Sequence, residues 1–366
     1  MQNNICFGRR EGISLLANVL CAKLFLNLRY FMLCADNAGW ILLLVNYIIF
    51  GVVVFLIIKY YPDDTVDILG LCDKYVGGWL KVIVSLIFFM YFFLQMQTSL
   101  KLFMEIIIAK IYERSPAIFI VMVFTVPIVF IASRGIETLT RTHALLIPYL
   151  SILIIIFPFM FFFKFDTTNL FPVFGSLFEK NKFTLSGGMS MFSEYCILLF
   201  IIPYLKKDRF YSSVGKWSVI IAGSLYMLYM LTYIFVVPAA LVDEISSPFN
   251  VLTNLSGIAH LMERLDMIIF TAISFIWMLY LAAMLFFAAY SFKSMLNLEH
   301  QKPLTVPITI CAGALSLLPM NHYIYTAAFY LLNEWSYTVY TVLPVVIFAV
   351  VYIVKNRGRE SGVLSR

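Results

Sequence analysis

Apolar runs long enough to cross a bilayer follow one another along almost the whole chain, separated only by short charged or Pro/Gly-containing breaks. In hydrocarbon, every backbone N–H and C=O must be satisfied within the protein, so only helices and closed barrels span a membrane. Barrel strands alternate apolar and polar residues over segments of about ten. Runs such as Ile152 to Phe163 do not alternate, so the spans are helices. Composition agrees, with 62% of 366 residues hydrophobic and 13% charged. A soluble domain is about 45–50% apolar and about 25% charged, and disordered chains are more polar still. At roughly 20 apolar residues per span, there is material for about ten spans. The polar stretches between them are too short for a soluble catalytic domain.

The spans read as 11–34, 38–60, 79–110, 117–134, 143–164, 185–205, 214–241, 264–294, 304–321 and 335–355. The fold class is therefore all-α integral membrane, with residues 1–366 forming one transmembrane domain. Arg9 and Arg10 lead into a full-length apolar segment with no small-residue cleavage site, so no cleavable signal peptide is expected. Neither end carries a lipidation motif. Placing both termini in the cytoplasm puts 17 of the 26 lysines and arginines inside and eight outside, with Lys23 within a span. That ratio obeys the positive-inside rule. The net charge of +6 is thus a topology signal, and no nucleic-acid partner is expected. The six cysteines (Cys6, Cys21, Cys34, Cys72, Cys196, Cys311) show no metal or CxxC spacing. No Walker loop, GxSxG, HExxH or catalytic carboxylate pair appears, so the chain is expected to be no enzyme and to need no cofactor or metal.

Ten spans divide into two sets of five, 11–164 and 185–355. The third and eighth spans are long and hold corresponding places. The first and sixth also correspond, and both are interrupted by polar residues: Asn18, Lys23 and Asn27 in one, Ser186-Gly187-Gly188 and Ser193-Glu194 in the other. Paired interrupted helices point to an inverted-repeat transporter fold with its ligand near the midplane. An odd number of spans per repeat gives the halves opposite orientations, as that fold requires.

Lys23 is the most informative residue. A charge at mid-span costs at least about 2.5–3.5 kcal/mol, and it lies too far from either end of its span to snorkel. It must face a cavity or a carboxylate. Glu194 is the natural partner, so the two are expected to approach each other, either as a structural ion pair or at a ligand pocket. Gln95, Gln97, Thr98 and Ser99 form a polar cluster on the third span. They suit either a small polar ligand or interhelical hydrogen bonds, and Ser14 and Asn18 share that ambiguity. Tyr91, Ser274 and Trp277 are further candidates from the long helices. Residues 249–262, with Leu252, Leu255, Ala259 and Met262 at helical spacing, read as a short surface helix. It is either a loop helix or a lid. Glu263, Arg264 and Asp266 read as a solvated ion cluster, and Gly135, Glu137, Arg141 and His143 as a short cytoplasmic turn.

Several segments resemble one family. They are Glu11-Gly12-Ile13-Ser14-Leu15-Leu16-Ala17-Asn18, Glu113-Arg114-Ser115-Pro116, Gly135-Ile136-Glu137-Thr138-Leu139-Thr140-Arg141, Asn169-Leu170-Phe171-Pro172-Val173, Leu231-Thr232-Tyr233 and Met262-Glu263-Arg264-Leu265-Asp266. In this order and spacing the chain resembles the B subunit of bacterial spore germinant receptors, within the amino acid/polyamine/organocation (APC) transporter superfamily. The resemblance implies a LeuT-like ten-helix fold with broken first and sixth helices. It also implies recognition of a nutrient germinant, commonly an amino acid, in the spore inner membrane, and assembly with an A subunit and a lipoprotein C subunit. Carried onto these residues, the pocket comprises Asn18, Cys21, Ala22 and Lys23 at the first break and Gly188, Ser190, Ser193 and Glu194 at the sixth. Gln95, Ser99 and Ser274 would complete it from the third and eighth spans. Relatives often have small residues where this chain has Cys21-Ala22-Lys23, and the added charge favours a ligand with a free carboxylate. The alternative on the same fold is a proton-coupled amino-acid symporter.

Overall fold

The computed structural model describes residues 7–63, 65–110, 115–175, 190–205, 210–242, 263–318, 336 and 342–360. Twelve α-helices fall within them: α1 (Arg9–Cys21), α2 (Leu24–Ala35), α3 (Gly39–Lys59), α4 (Ile68–Tyr75), α5 (Gly78–Lys110), α6 (Ala117–Ser133), α7 (Ile136–Ile156), α8 (Ile197–Ile201), α9 (Phe210–Val236), α10 (Glu263–Met295), α11 (Lys302–Ser316) and α12 (Leu343–Glu360). A 3-10 segment, Phe157–Lys164, extends α7, and another, Ser190–Cys196, leads into α8. One isolated backbone bridge joins Phe7 to Leu205.

Among the described residues, five helical stretches are long and apolar enough to cross a membrane: Tyr30–Lys59, Gly78–Ile108, Ile136–Lys164, Tyr211–Val236 and Met267–Met295. Ala117–Ser133, Phe192–Tyr204 and Leu343–Lys355 are shorter and also apolar. The surface is apolar as well as the core, and polar groups are buried among the helices. On α6, Phe119, Met122, Val123, Val126 and Phe130 form an exposed apolar face, whereas Asn18, Lys23, Gln95, Ser99, Ser193 and Glu194 are buried. That distribution suits lipid as solvent. The protein is therefore a multi-pass membrane protein.

Contacts between loops sort the connections onto two ends. At one end, Lys81 Nζ lies 3.1 Å from Asp73 and donates to Asn297 Oδ1 at 2.8 Å, while Tyr290 donates to Asp67 at 2.9 Å. At the other, Asn37 Nδ2 donates to the Phe171 carbonyl at 2.7 Å, and the Asp166 amide donates to the Phe235 carbonyl at 3.0 Å. These groupings follow the alternation of spans read from the sequence.

The two long helices α5 and α10 run against each other as the core, each 33 residues long. Helix α1 packs against α7, α9 and the 190–196 segment. Two differences from the sequence reading concern polar stretches. Residues 136–143 are not a turn but the first two turns of α7. Gly135 takes a positive φ of 97° at its N-cap, Glu137 pairs with Arg141 four residues on, and Thr140 and Thr142 bond back to the carbonyls of Ile136 and Thr138. His143 is buried, with Nδ1 2.7 Å from the Leu139 carbonyl oxygen. Lys101, counted from sequence among the eight basic residues on the outer side, is also buried and donates to the Leu318 carbonyl at 3.0 Å beyond the end of α11. The stretch 249–262 lies outside the described residues.

Helix α4 had no counterpart in the reading of spans. Asp67 caps it, accepting from the Gly70 amide at 2.9 Å, and is buried against Tyr290. Burial pushes the Asp67 carboxyl above its ordinary value, and the Gly70 and Tyr290 hydrogen bonds offset only part of that. A carboxyl raised on folding costs nothing below its unfolded value near 3.9. Its cost appears as pH rises through that value and is complete above the folded one. Asp67→Asn keeps the cap and has no charge to bury. Its thermal midpoint is therefore expected to gain on wild type between about pH 4 and pH 7; parallel curves would refute this account. Relative to Asp67→Asn, which lacks the same charge, Asp67→Ala is expected to lose about 1–2 kcal/mol at pH 7 through the missing cap.

Candidate functional site

The first span is broken where its polar residues stand. Helix α1 ends at Cys21, Ala22 and Lys23 form a turn, and α2 begins at Leu24. The break frees backbone carbonyls, and a neighbour satisfies one: Tyr226 on α9 donates to the Leu20 carbonyl at 3.2 Å. Asn18, one turn before the break, donates to the Ile276 carbonyl of α10 at 3.4 Å. In the sixth span, the 3-10 segment has a non-helical residue at Phe192 (φ −101°, ψ 18°) before α8 starts. Phe192 stacks on Phe50 at 4.6 Å and meets Tyr226 edge-on at 5.5 Å. Aromatic packing thus holds this irregular backbone beside α3 and α9.

Lys23 and Glu194 form a salt bridge between the two irregular segments, with side chains 1% and 0% exposed. The lysine follows the carbonyl end of α1, where the helix dipole favours a cation. The carboxylate is also hydrogen-bonded by two hydroxyls. Oε1 accepts from Tyr280 of α10 at 3.1 Å, and Oε2 accepts from the adjacent Ser193 at 2.9 Å. Ser193 in turn accepts from Tyr91 of α5 at 3.2 Å. A buried charge pair is tolerated only when its remaining lone pairs are satisfied, and these hydroxyls do that for Glu194. Four elements therefore meet at one carboxylate: the two breaks and the two long core helices.

Other candidates extend from this cluster. Tyr91, Gln95 and Ser99 recur every four residues and so share one face of α5. Gln95 donates to Ser336 at 3.3 Å, while its Oε1, the Ser99 hydroxyl and Asn18 Oδ1 find no hydrogen-bond partner among the described residues. Such buried acceptors are costly unless something pairs with them. Ala22 is buried and Cys21 partly so at the break itself. Ser274 is not brought to the cluster. Its hydroxyl bonds to the Phe270 carbonyl at 2.9 Å, and it lines a separate cavity of about 240 Å³ with Ile107, Phe124 and Met278. Trp277 stacks on Phe103 as core. Gly188 lies outside the described residues, and only the backbone of Ser190 is described. Tyr280 is the contributor that sequence reasoning missed. One tyrosine among 22 carries no signal until its helix is positioned.

Polytopic helical membrane proteins with a buried ionic centre form a broad class, and comparison narrows it. The family described as spore germination protein matches residues 12–324, and the chain belongs to that family. It is 27% identical over 250 residues to spore germination protein A2 of Bacillus subtilis, which is 65% of each chain. It is 22% identical to spore germination protein GerQB of Bacillus cereus and 23% identical to YndE of Bacillus subtilis, in each case over 57% of this chain and 56% of the relative. The matched region thus spans under two thirds of the length of these relatives.

Proposed function

We propose that this protein is the nutrient-sensing membrane subunit of a spore germinant receptor, with an amino acid as its ligand. The carrying observation is the buried Lys23–Glu194 pair, tied to α5 and α10 through Tyr91 and Tyr280. A zwitterion presents a carboxylate to Lys23 and an ammonium to Glu194, so it replaces each half of the pair with a like charge. The unpartnered Gln95 and Ser99 acceptors on the same face suit its side chain. On this reading the fold is a five-plus-five inverted repeat, residues 11–164 and 185–355, with Asn18, Cys21 and Ala22 at one break and Gly188, Ser190 and Ser193 at the other. Parting the pair shifts an equilibrium between conformations. An A subunit and a lipoprotein C subunit in the spore inner membrane receive that shift, with both termini of this chain cytoplasmic. Family membership and the relatives' names support the germination context.

The competing reading is a proton-coupled symporter using the same groups. The purified chain in liposomes separates them. Saturable amino-acid binding without uphill uptake is expected, and uphill uptake by this chain alone would overturn the sensing-only reading. Absence of any amino-acid binding, by calorimetry or thermal shift, would overturn the ligand assignment.

A further inference from the structure

A groove of about 620 Å³ lies between α3 and α12, far along the chain from the ionic centre. Its floor is apolar and buried at Ile57 and Phe348, and its walls include the half-exposed Leu56 and Val345. Val345, Ala349 and Tyr352 recur at helical spacing, so one face of α12 supplies one wall. Helix α12 packs on α4, which leaves this slot between it and α3. The rims are aromatic, with Tyr60 and Tyr352 both more than 60% exposed.

Charge marks one end. Lys355 lines the groove, with Nζ 3.5 Å from the Pro62 carbonyl oxygen. Lys59 does not line the groove itself, but its ammonium stands 5.4 Å from the centre of the Tyr60 ring, which does. Neither lysine has a carboxylate partner among the described residues. In sequence, Arg357 and Arg359 follow directly. This is the end of α3 and α12 that the excess of lysine and arginine assigns to the cytoplasm.

We infer that this groove binds an anionic glycerophospholipid of the cytoplasmic leaflet, one acyl chain in the slot and the phosphate on Lys355 and Lys59. The walls suit hydrocarbon, the exposed tyrosines are of the type that favours headgroup level, and two uncompensated ammoniums complement an anionic headgroup. The slot opens among exposed apolar residues, so its occupant arrives laterally from lipid.

Native mass spectrometry of the full chain, delipidated in detergent and titrated with dioleoyl phosphatidylglycerol or dioleoyl phosphatidylcholine, tests this. Wild type is expected to retain the anionic phosphatidylglycerol preferentially. Lys355→Ala is expected to cut that preference about fivefold, the effect of one basic residue near a headgroup, and Lys355→Arg to keep it. Ala349→Trp fills the slot and is expected to abolish retention of both lipids. The double change Lys59→Ala with Lys355→Ala, both at the surface, tests the headgroup contact if Ala349→Trp does not fold. Equal retention of the two lipids by wild type overturns the inference, as does unchanged phosphatidylglycerol binding in the double-alanine variant.

Discussion

Lys23→Met is expected to cost the protein about 3–5 kcal/mol, because it leaves the Glu194 carboxylate buried without its cation. Glu194→Gln is expected to cost a similar amount by stranding the ammonium. The double variant is expected to recover most of the loss. Methionine fills much of the lysine's apolar volume, and glutamine's single carbonyl oxygen still accepts from Tyr280 while its amide nitrogen donates to the Ser193 oxygen. Replacing both members of a buried pair by neutral groups is often close to neutral. The measurement is the thermal midpoint and yield of monodisperse protein for all four members of the cycle. Additive losses would refute the pairing as an energetic unit. Function separates a structural pair from a ligand site. If the pair holds the ligand, spores carrying the double variant contain folded protein but no longer respond to the germinant. An unchanged response would leave the pair a purely structural feature.

This pair was legible in the sequence for a physical reason. Hydrocarbon penalises charge so strongly that Lys23 and Glu194, each in an interrupted span, had few partners other than each other. Several long spans were legible on the same ground, because apolar length is the dominant signal there, and five of them are long and apolar enough to cross a membrane among the described residues. Features that depend on azimuth rather than depth were not. Ser274 and Tyr280 lie on one helix, six residues apart, yet one lines a separate cavity and the other reaches Glu194. Short polar helices were hidden as well: α4 has eight residues, including Asp73 and Lys74, and forms because Asp67 caps it and α5 and α12 cover it. The start of α7 read as a turn because Glu137, Arg141 and His143 interrupt its hydrophobicity, although their spacing is helical.

The second large effect is expected at Gly175, in the loop that leads towards the sixth span. Gly175 has a φ of 44°, and a Cβ there would stand 2.6 Å from the Ala35 carbonyl oxygen and 3.0 Å from the Ala38 amide nitrogen. Both are backbone atoms at the junction of α2 and α3, so no side chain can swing aside to make room. Left-handed backbone costs a non-glycine residue about 1–2 kcal/mol, and overpacking adds about 1–3 kcal/mol. Gly175→Ala is therefore expected to lose about 2–5 kcal/mol, seen as a lower thermal midpoint. Asn37→Ala removes one donor to the Phe171 carbonyl in the same contact and is expected to lose about 1–3 kcal/mol through the unpaired acceptor. The two residues share an interface, so their losses should not add. A wild-type midpoint for Gly175→Ala would mean that this loop does not clamp the α2–α3 junction. If it does, the clamp joins the segment after the first break to the approach to the sixth, and loosening it changes how accurately Lys23 meets Glu194. If that pair is also the ligand site proposed above, Gly175→Ala is then expected to weaken germinant response even at temperatures where the variant remains folded.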